Sequence, residues 1–314
     1  MEIKTANKKF SDQFGTARVA QQRLGRPRLL ILGCGDVGMR LLPLLRERFR
    51  IFAVTTQTAK QDALRAAGAI PVIANLDEPA TLARLARLAK HIIHLAPPPA
   101  NGSIDSRTRN LTAILPEHAT LVYVSTSGVY GDCGGELINE TRTVRPHNPR
   151  ATRRVDAEQV LRKWAKRSQS RLSILRVPGI YAADRLPLER LNKGLPALLA
   201  EEDVYTNHIH ADDLARIIAA ALFHAQSGRI YHAVDDSDMK MGAYFDAVAD
   251  AFDLPRPPRL PRAQLEHEVS PVMLSFMSES RRLDNQRIKA ELGVRLNHPT
   301  VSSALQKTIK LPLR

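Results

Sequence analysis

Residues Arg28 to Arg40 read RLLILGCGDVGMR, and the fold follows from them. The apolar run Leu29-Leu30-Ile31-Leu32 ends in Gly33-Cys34-Gly35-Asp36-Val37-Gly38. The pairs Leu41-Leu42 and Leu44-Leu45 follow at helical spacing. This is the pattern of a buried strand, a glycine turn and a helix. The three glycines serve three ends. Gly33 lets the chain turn sharply off the strand, Gly35 lets a pyrophosphate approach the backbone, and Gly38 lets the helix lie close to the strand. Amides at a helix start lack partners, and the helix dipole favours an anion beside them. The turn therefore reads as a dinucleotide cradle, with a plain tight turn as the blander alternative.

Downstream, strands and helices alternate. Arg50–Thr56 reads as a second strand, Ala59–Ala67 as a helix stopped by Gly68, and Ile70–Ile73 as a third strand. A helix with Leu82, Leu85 and Leu88 on one stripe precedes a fourth strand, His91–Ala96, which Pro97-Pro98-Pro99 ends. Leu121 to Gly131 is the next strand and its exit loop, with hydroxyls at Ser125, Thr126 and Ser127. That order implies a doubly wound α/β fold with a parallel sheet, its ligands at the carboxyl ends of the strands. Thr55, Thr56 and Gln57 stand where NAD-binding folds often carry a ribose-binding acid. No carboxylate there would repel a 2′-phosphate, and Lys60 is near, so NADP is expected over NAD.

Composition bounds the function. The chain has 314 residues, 44% hydrophobic, enough for a large core in one α/β domain or one domain with a smaller lobe. Its +14 net charge suits an anionic ligand. The basic residues are scattered and no nucleic-acid motif appears, so a small anionic molecule is expected as partner rather than DNA or RNA. A homodimer is allowed. Two cysteines, Cys34 and Cys133, provide no disulfide framework. No apolar run is long enough to span a membrane and no secretory signal is visible, which makes the cytoplasm the default location. Residues 1–27 form a basic extension, with one short helix allowed from Ser11 to Leu24. His208 and His210 share one side of a strand ahead of Asp212 and Asp213, but a metal is not expected there.

The motifs, taken in order, extend this reading. They are LILGCGDVG, NLD (Asn75–Asp77), HLAPPP (His94–Pro99), VSTSGVYGD (Val124–Asp132), the Glu136…Glu140 loop and Asp156-Ala157-Glu158 on a helix. LRVPGIY (Leu175–Tyr181), NHIHADDLA (Asn207–Ala215) and RLDN…ELG (Arg282–Asn285, Glu291–Gly293) complete the set. In this order the chain resembles the extended or atypical short-chain dehydrogenase/reductases, the superfamily of nucleotide-sugar epimerases and dehydratases.

The resemblance implies a Rossmann domain over residues 28–180 and a smaller substrate lobe over 181–314, with some segments returning to the first. It implies a dinucleotide along Gly33, Gly35, Asp36, Val37 and Gly38, with Thr55 and Thr56 at the adenosine ribose and Asn75 and Leu76 at the adenine. Leu95 and Ala96 would border the cofactor, and Val177 and Ile180 the nicotinamide. Thr126 matches the family's catalytic serine or threonine, four residues before Tyr130. The family's Tyr-x-x-x-Lys pair falls on Arg150 and Arg154. Arg154 could bind ribose hydroxyls, but a guanidinium stays protonated and Arg150 is no general base. Tyr130 and Tyr181 are the phenols expected nearest the site, with Tyr130 the candidate acid/base beside Thr126. A non-catalytic dinucleotide sensor is the alternative reading.

Overall fold

The computed structural model describes residues 25–310. The basic extension up to residue 24, including its expected helix, lies outside the described residues.

Seven strands form one sheet: β1 (Arg28–Leu32), β2 (Arg50–Thr55), β3 (Ile70–Ile73), β4 (His91–His94), β5 (Thr120–Thr126), β6 (Arg171–Val177) and β7 (Ile230–His232). Their order is β7-β6-β5-β4-β1-β2-β3, and every pairing is parallel. Chain order reverses between β1 and β4, the switch point at which a doubly wound sheet opens a crevice for ligands. The expected α/β fold is therefore the observed one.

Both faces of the sheet are covered, which is why β1 is apolar at successive residues rather than at alternate ones. Leu29 and Ile31 point into one core with Leu41, Leu42 and Leu45 of α1 (Asp36–Leu45) and Leu64 of α2 (Gln61–Ala66). Leu30 and Leu32 point into the other, with Leu82, Leu85, Leu111 of α3 (Ser106–Ile114) and Trp164. A third core gathers Tyr181, Leu191, Leu198, Tyr244, Phe245, Val248, Leu265, Val301 and Leu305 beyond the sheet. β7 returns the chain to the sheet edge from that region.

Two elements differ from expectation. The Leu82 stripe is a 3-10 helix, Pro79–Leu85, not an α-helix. Its two buried leucines are three residues apart, one 3-10 turn, and Leu88 lies beyond its end. The fourth strand stops at His94, since Leu95 to Pro99 bend away along the crevice.

Candidate functional site

The glycine turn has the geometry its sequence implies. Gly33 holds a φ of +79°, and a Cβ there would stand 2.7 Å from the backbone of Ala96. A Cβ on Gly35 would meet nothing within 4 Å, so that side of the turn is open. Gly35 is the N-cap of α1 and no side chain caps the helix. Gly38 is close-packed for a different partner than the strand: its Cβ would meet Cys34 Sγ at 2.8 Å, within the turn itself. The Cys34 thiol is buried, and desolvation pushes its pKa up to about 11, which makes it inert.

Two cavities open along this end of the sheet. The first, of about 370 Å³, lies over the ends of β1, β2 and β3. Gly33, Gly35, Thr55, Thr56, Asn75, Leu76 and Ala96 line it. Cys34, Val54, Gln57, Lys60, Ala74, Pro97 and Arg107 complete its wall, and among the described residues no carboxylate lines it. Arg107 is held there by Asp77 through a two-pronged pair at 2.8 and 2.6 Å. That pairing across 30 residues left no local sequence signal.

The second cavity, of about 450 Å³, lies over the end of β5 and beside Pro178–Tyr181. Thr126, Arg154 and Ile180 line it. Thr126 ends β5, and its hydroxyl accepts from the Gly128 amide at 3.2 Å. Arg150 and Arg154 come from the start of α4 (Pro149–Arg167), whose N-cap Asn148 accepts from the Ala151 amide. Arg154 Nη1 donates to Tyr123 Oη at 3.0 Å and to the Val124 carbonyl at 2.9 Å. Far segments supply Tyr205, His208, Tyr244, Phe276, Glu279 and Arg281.

Several expected site residues stand off these walls. Asp36 lines neither cavity, and its carboxylate pairs with Arg40 at 3.0 Å and with Arg185 at 3.0 Å. Val37, Gly38, Leu95 and Val177 support the walls from behind rather than lining them. Tyr130 is the clear correction. It is 1% exposed, lies outside both linings, and its hydroxyl meets His232 Nε2 at 2.5 Å. Burial pushes its pKa up to about 12, and Arg176 covers its ring at 4.7 Å. A short 3-10 turn, Ser127–Tyr130, rotates it inward, so it does not reach the cavity. Tyr181 does line the cavity, donating to Asp235 Oδ2 at 3.1 Å.

His208 and His210 share one side of their strand, as the alternation implied, with the Tyr181 ring edge-on to both. Each stacks on a different ring, Tyr244 and His298 respectively. Among the described residues no group of three or more metal-ligating side chains converges. Among them, too, no helix is long and apolar enough to cross a membrane.

This arrangement agrees with what the chain matches. The model of the NAD dependent epimerase/dehydratase family matches residues 29–234. The chain belongs to that family. Among solved structures, a conserved protein of unknown function from Silicibacter pomeroyi is 28% identical, with a TM-score of 0.76 over 90% of this chain and 98% of that one. A Thermotoga maritima UDP-glucose 4-epimerase, solved with UDP-glucose, is 15% identical with a TM-score of 0.72, over 90% of this chain and 97% of that one. A Thermus thermophilus UDP-glucose 4-epimerase, solved with NAD, is 21% identical with a TM-score of 0.68, over 90% and 97%. The two epimerases establish a shared fold. A comparison with curated proteins gave no match. The epimerase/dehydratase family match ends at Val234, so it covers Tyr181, Leu191 and Leu198 of the third core but not Tyr244 to Leu305.

Proposed function

We propose that this epimerase/dehydratase family member binds NADP, or NAD, across the two cavities. On this reading it acts as an oxidoreductase or epimerase on a nucleotide-sugar or other small anionic carbonyl or hydroxyl compound. One observation carries the reading: the uncapped end of α1 and the open side of Gly35 adjoin the first cavity, an arrangement that fits a diphosphate. Thr55, Thr56, Asn75 and Leu76 would then hold the adenosine. Lys60, in a wall without carboxylates, favours a 2′-phosphate. Neighbours solved with NAD and with UDP-glucose support the class of ligand.

The coenzyme would supply hydride transfer. The chain's own part is orientation. Thr126 would hold the substrate oxygen by hydrogen bonding, Arg154 would bind the nicotinamide ribose, and Ile180 would wall the ring. The residues at 181–314 would form the substrate lobe, and the assembly would be a homodimer.

The test is a turnover assay over nucleotide-sugars and simple carbonyls with NADPH and NADH. Thr126→Ala should lower turnover at least about tenfold, while Tyr130→Phe leaves it within about twofold. Saturable coenzyme binding without turnover on any substrate would instead support a dinucleotide sensor. The arginines at 150 and 154, in place of the family's tyrosine and lysine, favour that second reading.

A further inference from the structure

The basic residues lie scattered along the sequence, but the fold gathers many of them. All strands of the sheet are parallel, so they start at one edge, the edge opposite the strand ends that carry both cavities. Backbone bonds tie the segments of that edge together. The Arg50 amide donates to the Pro27 carbonyl, Thr120 to Lys90, Arg171 to Ala119 and His118 to Ser168. Arg28 and Arg50 are register partners at the starts of β1 and β2, and Arg171 starts β6. Residues 26–28, 46–50, 87–91, 117–118 and 166–171 bound this edge, and they carry ten Lys and Arg against two Glu. The described residues as a whole carry 40 Lys and Arg against 30 Asp and Glu. Most of the net positive charge is therefore at the strand starts, and the rest of the described chain is close to neutral.

Helix ends explain part of this. The C-termini of α1 and α4 lie here, and their dipoles favour Arg46, Lys166 and Arg167. They do not explain Arg28, Arg50, Lys90 and Arg171, which stand at or beside the strand starts. All four are exposed. Glu47 pairs with Arg46 at 3.6 Å, whereas no carboxylate of the described residues is within ion-pair distance of these four. The sequence ahead of the edge, residues 1–24, adds five Lys and Arg against Glu2 and Asp12.

We propose that this edge docks the phosphate backbone of duplex nucleic acid. Three observations choose that partner. Eight of the ten cations are Arg, whose planar fork suits phosphate oxygens. The sheet order β6-β5-β4-β1-β2 sets the span of the charge. At about 4.8 Å per neighbour it is roughly 19 Å, over which a duplex presents about eleven phosphates. Third, the edge offers little besides charge. Phe49, Phe52 and Trp164 are buried, and Arg48 lies over the Phe223 ring at 5.0 Å, so among the described residues no ring here is open to stack on unpaired bases. Of the exposed large apolar side chains only Leu44, near the end of α1, is close. A membrane surface would reward an apolar face as well as charge, and a protein partner an apolar, aromatic centre. Contacts to phosphates alone carry no base sequence, so the binding is indifferent to it.

This surface does not rest on the coenzyme reading, because the length of the strands separates it from both cavities. The full chain is titrated into a fluorescein-labelled DNA duplex of about 20 base pairs and into the RNA duplex of the same sequence, from about 50 to 200 mM salt, and anisotropy is read. Phosphatidylserine vesicles and polyglutamate are tested alongside. At least one duplex should bind saturably, with a dissociation constant on the order of 10 µM at about 100 mM salt. Arg28→Gln with Arg50→Gln should weaken binding at least about tenfold and lower the slope of log affinity against log salt by about two. Lys90→Gln with Arg171→Gln should do the same independently. Arg295→Gln with Lys307→Gln removes as much charge from exposed positions elsewhere and should leave affinity within about twofold. Thermal unfolding shows that each variant is folded. Absence of saturable duplex binding at about 100 mM salt would overturn the proposal. So would an equal loss in the edge and control variants, or binding to vesicles or polyglutamate with both duplexes silent.

Discussion

Gly33 and Ala96 lie so close that a single methyl on the glycine would overlap the backbone of the alanine at 2.7 Å. This contact joins the end of β1 to the chain leaving β4, across the switch point of the sheet. Gly33 also holds a φ of +79°, which side chains disfavour. Gly33→Ala should therefore lower stability by at least about 2 kcal/mol in denaturant unfolding, from backbone strain plus displacement of Ala96.

Lys60 is the cation of the first cavity with no carboxylate of the described residues paired to it, whereas Arg107 is held by Asp77. If a 2′-phosphate sits there, Lys60→Ala should weaken NADPH binding about three- to tenfold and leave NADH within about twofold, by fluorescence titration.

Glu158 and Arg176 form a buried pair at 2.7 Å, 5% and 4% exposed. Glu158 also accepts from Ser125 at 2.7 Å, and Arg176 lies over the Tyr130 ring. Removing one partner strands a buried charge. Glu158→Ala should cost about 3–5 kcal/mol, measured by chemical unfolding. The double variant Glu158→Gln with Arg176→Met should lose less than the sum of the single changes.

Asp235 is buried beside Tyr181, and desolvation, helped by Asp236, raises its pKa to about 7. A raised carboxylate pKa means that the folded state holds the proton more tightly than the unfolded one. That contribution to stability is complete below the ordinary carboxylate range and is lost as pH rises toward 7. Asp235→Asn should flatten the fall in melting temperature between pH 4 and about pH 7, since the amide does not ionise. An unchanged slope would remove Asp235 as its source.

The strands and the glycine turn were legible because their signals are local. An apolar run, three glycines at fixed spacing and a proline stop each act within a few residues. Gly33 and Gly35, in the wall of the first cavity, belong to that local pattern, whereas Thr55, Asn75, Thr126 and Ile180 are named only by the family resemblance. The place of Tyr130 was not legible, because its direction is set by His232, a residue 102 positions away that closes on it only in the folded chain. His208 and Phe276 join the second cavity through segments whose packing on β5 no periodicity reports. Asp36 was read as a cofactor residue from its place in the turn, yet its carboxylate is drawn off by Arg185, which is 149 positions later. Long-range pairing of polar groups is what a single sequence leaves unwritten.

Gly35→Ala isolates the dinucleotide cradle from the fold. The added methyl meets nothing in the protein, so stability should stay within about 1 kcal/mol of wild type. Calorimetric titration of NADPH and NADH into wild type and Gly35→Ala is the most direct measurement. We predict saturable binding of at least one coenzyme to wild type, with a dissociation constant on the order of micromolar, and affinity at least about tenfold weaker in the variant. No saturable binding to the folded wild type, or equal affinity in the two proteins, would contradict the account.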